Sequence, residues 1–169
     1  PEHAQSYHTY MHQLLFDHNA SWNADNIHIP QGHVDDLERE ARRYENQLKQ
    51  IGQPDIQLLG IGENGHIGFN EPGTSFESET RVVDLTESTI NANSVHFDHI
   101  DDVPKQAVSM GLNSIMRAKR IILLAFGERK RDAIHQLLNG ETNESLPASI
   151  LHQHPNVEII VDDTIFNRL

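Results

Sequence analysis

The chain has 169 residues, long enough for one compact domain with a real core. With 13 Lys plus Arg against 25 Asp plus Glu, its formal charge is -12, which excludes a surface built for nucleic acid, because that affinity rests on clustered cations. It contains no cysteine, so disulfides and thiolate metal sites are excluded. Its longest apolar stretch, Ile121 to Phe126, is too short to cross a bilayer, and a cytoplasmic protein without membrane or nucleic-acid partner is expected.

The chain enters a helical pattern almost at Pro1, with neither an initiator methionine nor a preceding strand, so the single domain expected over 1–169 is also expected to lack an N-terminal segment. Tyr7, Tyr10, Met11, Leu14 and Leu15 share one face of the first helix, expected to cover a sheet. A loop through Trp22 and Pro30 leads to a second helix, about Val34 to Gln50. Its stripe is Val34, Leu37, Ala41, Tyr44, Leu48 and Ile51, and its intervening charges read as a solvated face. Gly52-Gln53-Pro54 stops it, and Ile56 to Ile61 reads as a strand buried on both sides. Further strands are expected at Arg81 to Leu85, Ala107 to Met110, Ile121 to Phe126 and Val157 to Val161. Helices are expected at about Glu87 to His96, Glu128 to Leu138 and Ser145 to His152. This alternation predicts a three-layer, Rossmann-like α/β domain with a mostly parallel sheet, whose ligands bind at the carboxyl ends of strands.

Two loops at such ends carry the chemistry. The first, Gly62-Glu63-Asn64-Gly65-His66-Ile67-Gly68-Phe69-Asn70-Glu71-Pro72, presents an amide, an imidazole and a carboxylate within eight positions. Gly60 to Gly65 formally matches a dinucleotide fingerprint, with Asp84 near the expected ribose-binding position. Gly68, Pro72 and Gly73 nevertheless follow too closely for the required helix. The alternative is acid–base chemistry: His66 takes and gives a proton, Glu71 accepts from its ring, and Asn64 orients the pair. The bland reading of the same residues is a loop-capping histidine and a solvated glutamate. The second loop, Gly127-Glu128-Arg129-Lys130-Arg131, puts three cations in the expected first turn of a helix, where stability favours acids. It reads either as an anion site led by Lys130 or as surface charges paired with acids. Twelve histidines, including His152, His154, His96 and His99, show no ligand spacing with carboxylates on a shared face, so no metal is expected.

Leu59 to Gly73 closely resembles the signature of glucosamine-6-phosphate deaminases. Supporting similarity extends through Glu2 to Asp17, Asn91 to Ser94, Gly127 to Lys130, Pro147 to Ser149 and Leu151 to Pro155. The resemblance implies a cofactor-free aldose–ketose isomerisation with deamination of glucosamine 6-phosphate to fructose 6-phosphate and ammonia. It also implies the fold of ribose-5-phosphate isomerase and 6-phosphogluconolactonase. His66 would shuttle the ring-opening proton with Glu71 and Asn64, Lys130 would bind phosphate, and Gly60 would contact the sugar through its backbone. Some members carry aspartate where Asn64 stands. The family's phosphate loop and C2-proton base belong to a segment ahead of Pro1, and Val95-His96 stands where an arginine often follows Ala-Asn-Ser. Val83 replaces a lysine of allosterically activated members, while Arg81 matches one of their effector-site residues, so no activation by N-acetylglucosamine 6-phosphate is expected. Glu87 to Asp102 is the lid candidate. A galactosamine-6-phosphate isomerase, a phosphogluconolactone hydrolase and a non-catalytic sugar-phosphate-binding fragment remain as alternatives, and a monomer or homo-oligomer is expected.

Overall fold

The computed structural model of the chain describes residues 3, 5–95, 97, 99 and 102–167. Glu2 and His96, which entered the family resemblance, lie outside the described residues. The chain divides into two compact units: residues 1–41 with 82–108, and residues 42–81 with 109–169.

The first unit contains helix α1 (Tyr7–Leu14), single 3-10 turns at Phe16–His18 and Ala24–Asn26, and the start of helix α2 (Leu37–Ile51). It also holds most of strand β2 (Arg81–Asp84), helix α3 (Glu87–Ser94) and most of strand β3 (Gln106–Ser109); β2 and β3 form a two-stranded sheet. Ser6 caps α1, its hydroxyl accepting the Thr9 amide at 3.1 Å. The expected apolar face of α1 is largely exposed. The helix buries no residue, and Tyr7 is 65% exposed on the apolar stripe itself. Periodicity marks an apolar face without identifying what lies against it.

The second unit carries the core. Strand β1 (Ile56–Gly60), strand β4 (Arg120–Ala125) and strand β5 (Val157–Val161) form a sheet in the order β1-β4-β5, and both neighbours of β4 run parallel to it. Register pairs Leu59 with Leu123 and Leu123 with Ile159. One face of the sheet, bearing Leu59, Ile121, Leu123 and Ala125, is buried in a single cluster. Helix α4 (Leu112–Met116) adds Leu112 and Ile115, helix α5 (Arg131–Asn139) adds Ile134 and Leu137, and helix α6 (Asp163–Phe166) adds Ile165. The expectation of a first strand buried on both sides is therefore corrected. Ile56 is 56% and Leu58 60% exposed, because the helices of this unit pack on the alternate residues only. A continuous apolar run does not reveal whether one face or two will be covered.

Two other expectations change. Ser145 to His152 is not an α-helix: residues Pro147–Gln153 form a 3-10 helix with Pro147 to Leu151 buried. The segment expected as a helix from Glu128 begins with a 3-10 turn, Glu128–Lys130, before α5 starts at Arg131. Helices α4 and α6, of five and four residues, are too short to leave a periodic signal.

The charges of α2 are not all solvated. Glu40 and Glu45 are buried, the former accepting the Gln31 amide at 2.8 Å. Around Glu45, the Thr80 amide and hydroxyl donate to Oε2 at 3.1 and 2.6 Å and the Ser114 hydroxyl at 2.8 Å, while Arg117 bonds Oε1. Burial alone would raise this carboxyl, but those hydrogen bonds win and bring its pKa to about 2 from an ordinary 4.5. The ionised carboxylate thereby ties α2 to the segment before β2 and to the end of α4.

A folded-state pKa below the unfolded one means stabilisation that is complete above about pH 4.5 and lost as the pH falls through about 2. The shift corresponds to about 3 kcal/mol. Urea denaturation should show Glu45→Gln less stable by about 3 kcal/mol at pH 7, with the gap to the wild type narrowing on acidification. An equal gap at pH 7 and pH 3 would refute the assignment.

Candidate active site

Because β1, β4 and β5 are parallel, their carboxyl ends, Gly60, Ala125 and Val161, lie at one edge of the sheet. The loops that follow are tied together there. Arg129 Nε lies 3.4 Å from Glu63 Oε1, the Gly127 amide donates to Asp162 Oδ2 at 2.7 Å, and the Ala148 amide donates to the Gly65 carbonyl at 2.9 Å. Hydrogen bonds from the Thr164 hydroxyl and the Gly127 amide hold the Asp162 carboxyl below its usual range.

No helix opens after Gly65. The loop instead closes on itself, with the Gly62 amide donating to the His66 carbonyl at 2.8 Å and the Gly65 amide to the Gly62 carbonyl at 3.0 Å. A tight turn through Gly68 and Phe69 follows, in which the Asn70 amide reaches the Ile67 carbonyl at 3.1 Å and Gly68 has φ +59°. Ile67, fully buried, pins this turn into the core.

The turn brings Asn64, His66 and Glu71 together. Asn64 Nδ2 donates to Glu71 Oε2 at 2.6 Å, and His66 Nδ1 lies 2.7 Å from Asn64 Oδ1 and 3.5 Å from Glu71 Oε1. A carboxylate only accepts, so the Asn64 amide must turn its NH2 to Glu71 and its carbonyl to His66. That carbonyl also accepts the His66 backbone amide, at 3.2 Å. Nδ1 must therefore carry the proton in the neutral ring, leaving the Nε2 lone pair free to take another. The imidazole and carboxylate are 31% and 27% exposed, open to a small molecule yet held from behind. This arrangement can accept a proton at one edge of the ring while a carbonyl and a carboxylate face the charge that forms.

Gly62 makes the ring position possible. A Cβ there would stand 2.2 Å from both Nδ1 and Cε1 of His66, whereas nothing lies within 4 Å of a Cβ built at Gly60. Gly60 thus ends β1 with open space over its backbone.

Of the three cations after β4, two face acids: Arg129 pairs with Glu63, and Arg131 Nη2 lies 3.0 Å from Asp132 and Nη1 4.0 Å from Glu128. Among the described residues Lys130 has no ion pair, and its backbone amide donates to the Gly127 carbonyl at 3.0 Å. Only Arg131 stands in the first turn of an α-helix, as was expected of all three; Arg129 and Lys130 lie in the 3-10 turn ahead of it. His152 and His154 are spent locally, with Nε2 atoms 2.5 Å from the Leu137 carbonyl and 2.7 Å from the Ala118 carbonyl.

Residues missed in the sequence stand behind the loop. Asn70, fully buried, donates through Nδ2 to the Ile67 and Met110 carbonyls, both at 2.9 Å, and accepts Arg81 Nη1 at 2.8 Å. Ser109 accepts the Phe69 amide at 3.1 Å. An asparagine between two aromatic or acidic neighbours gives no sign of burial, and Arg81 lies eleven positions away.

A family model described as glucosamine-6-phosphate isomerases/6-phosphogluconolactonase matches residues 1–160. Glucosamine-6-phosphate deaminases of Staphylococcus aureus strains bovine RF122 / ET3-1 and Newman are each 63% identical over 161 residues. The match covers 95% of this chain and 64% of theirs, so the chain spans somewhat less than two thirds of those relatives' length. The solved structure of a monomeric glucosamine-6-phosphate deaminase superposes with a TM-score of 0.92 at 48% identity, covering 98% of this chain and 68% of that one. A 6-phosphogluconolactonase from Thermotoga maritima shares the fold, with a TM-score of 0.70 at 17% identity over 94% of this chain and 67% of its own.

Substituting the two glycines separates their roles. Gly62→Ala should displace the imidazole and abolish the slowly exchanging Nδ1–H proton resonance of His66, while Gly60→Ala should leave it in place. A retained resonance in Gly62→Ala would show that the ring does not depend on the missing side chain.

Proposed function

The chain belongs to the family of glucosamine-6-phosphate isomerases and 6-phosphogluconolactonases, and on that premise we propose that its protein converts glucosamine 6-phosphate and water to fructose 6-phosphate and ammonia. The observation that carries this reading is the chain of contacts from Glu71 through Asn64 to His66, which leaves Nε2 free. Ring opening of a pyranose moves a proton from the C1 hydroxyl to the ring oxygen as the bond between C1 and that oxygen breaks. Nε2 of His66 is the shuttle: it takes the proton from the hydroxyl and returns it to the ring oxygen, so the imidazole ends as it began. Asn64 and Glu71 face the transient imidazolium. A bystander histidine capping a loop would have no need of a carboxylate behind an amide behind its ring.

Lys130 is assigned to the phosphate. A dianion bound to a protein of net charge -12 needs a local cation not already neutralised, and Lys130 meets that need at the edge where β4 ends. Gly60 is assigned to a backbone contact with the sugar, which the open space over it permits. No cofactor or metal is required by this chemistry. The protein is proposed to work in the cytoplasm, in catabolism of amino sugars derived from N-acetylglucosamine, as a monomer or homo-oligomer.

The identity of the substrate is tested by measuring ammonia and ketose formation by the intact protein from glucosamine 6-phosphate, galactosamine 6-phosphate and, separately, loss of 6-phosphogluconolactone. The expected result is turnover of the first at the highest kcat/KM. Hydrolysis of the lactone alone would replace the proposal with the sister activity, and silence towards all three would favour a binding module. His66→Asn should reduce kcat by about 10²- to 10⁴-fold, whereas Lys130→Ala should act mainly on KM, raising it about tenfold or more. With Val83 where activated members have lysine, the saturation curve should be unchanged by N-acetylglucosamine 6-phosphate; a sigmoid curve made hyperbolic by it would refute that expectation.

A further inference from the structure

We propose that Asn70 and Arg81 form a positioning pair that sets the tautomer and aim of His66 without touching substrate. The proposal rests on the assignment of His66 as the proton shuttle. Glu71 is the only carboxylate that fixes the Asn64 amide orientation among the described contacts, and it is the residue immediately after Asn70. Asn70 is fully buried, and each polar atom of its side chain is engaged. Nδ2 spans from Ile67, inside the loop, to Met110, outside it, and Oδ1 takes the Arg81 guanidinium. Arg81 also reaches Thr74 Oγ1 at 3.4 Å, so the same cation grips the loop on both sides of Glu71.

The consequence follows from donor and acceptor bookkeeping. With Arg81 removed, Asn70 Oδ1 is a buried acceptor without its charged donor. It satisfies itself by rotation only at the expense of the bonds to Ile67 and Met110. Either adjustment loosens the backbone that carries Glu71. Once Glu71 no longer faces Asn64 Nδ2, only the His66 backbone amide, 3.2 Å from Oδ1, still holds the Asn64 amide; when the amide turns over, its NH2 repels Nδ1–H and favours the Nε2–H tautomer. In that form the edge of the imidazole that meets substrate is already protonated. Burial of the Arg81 guanidinium lowers its pKa.

This assignment gives Arg81 a task other than the effector contact suggested by the family resemblance. In the structure its guanidinium is turned to Asn70 and Thr74.

The test uses Arg81→Ala and Arg81→Lys in the intact protein, with His66→Asn to identify the His66 signals. Nitrogen-15 shifts of the imidazole report the tautomer directly, independently of any turnover, so a failure of the proposed activity would not obscure the result. The wild type should show Nδ1–H at His66. Arg81→Ala should shift it towards Nε2–H and reduce kcat about 10- to 100-fold with KM changed less than about threefold, since no substrate contact is lost. Arg81→Lys keeps one donor and should recover part of both quantities; if Arg81→Ala does not fold, the lysine variant alone should still show a mixed tautomer and a reduced kcat. An Nε2–H tautomer in the wild type overturns the proposal, as does an unchanged His66 tautomer in the folded variants.

Discussion

Asn70 is fully buried, and an amide taken out of water is tolerated only when its donors and acceptor are all re-engaged. Its three partners lie in three different places: Ile67 within its own turn, Met110 just before α4, and Arg81 at the start of β2. Meeting all three at once leaves the intervening backbone little freedom; Glu71 is carried on that backbone, and His66 directly precedes it. The loop also surrenders side chains where the geometry is tightest. Gly62 leaves room for the imidazole, and Gly65, at φ +82°, leaves room for Leu146, which would otherwise meet a Cβ at 2.2 Å. Asn64, His66 and Glu71 are thus held by polar contacts beneath them and by the absence of atoms around them.

The sheet supplies the second requirement, bringing separate loops to one place. Parallel pairing of β1, β4 and β5 sends their carboxyl ends the same way, so the glycine-rich loop after β1 and a cationic turn after β4 meet without a long connection. Their meeting is specific. Glu63 takes Arg129, Asp132 takes Arg131, and Asp162 takes the Gly127 amide, which leaves Lys130 as the cation not drawn to an acid among the described residues. Acidic residues here do more than solvate the surface; they pair with Arg129 and Arg131 and leave Lys130 without an ion pair among the described residues.

The strands, the irregular loop after Ile61 and the closeness of Asn64, His66 and Glu71 were legible in the sequence because each leaves a local mark: apolar runs, clustered glycines, and polar side chains at close spacing. The supports beneath the site were not. Arg81 reaches Asn70 across eleven residues and Ser109 reaches Phe69 across forty, separations at which no spacing rule operates. Glu45 misled for a related reason. Set between Tyr44 and Asn46 on a charged helix, it has the pattern of a solvent-facing residue, and only the folded chain shows Thr80, Ser114 and Arg117 closing around it. Stripes on α1 and β1 marked apolar faces correctly but said nothing about their coverage, which is a property of neighbouring elements.

The architecture by itself does not choose the reaction, since a phosphogluconolactonase retains it at 17% identity. The choice must lie in the few residues that face a substrate. Hydrolysing a lactone asks a base to activate water and an acid to release an alkoxide, whereas opening an amino-sugar ring moves one proton between two oxygens of the same molecule. The second task suits an imidazole whose Nδ1–H is held from behind, because a single free nitrogen can receive the proton from one oxygen and deliver it to the other without the ring turning over. In this chain the hold is an amide fixed by a carboxylate, with the carboxylate fixed in turn by a buried turn at Asn70. On the proposed reaction, the specificity of the site would therefore reside as much in the rigidity behind His66 as in the imidazole itself.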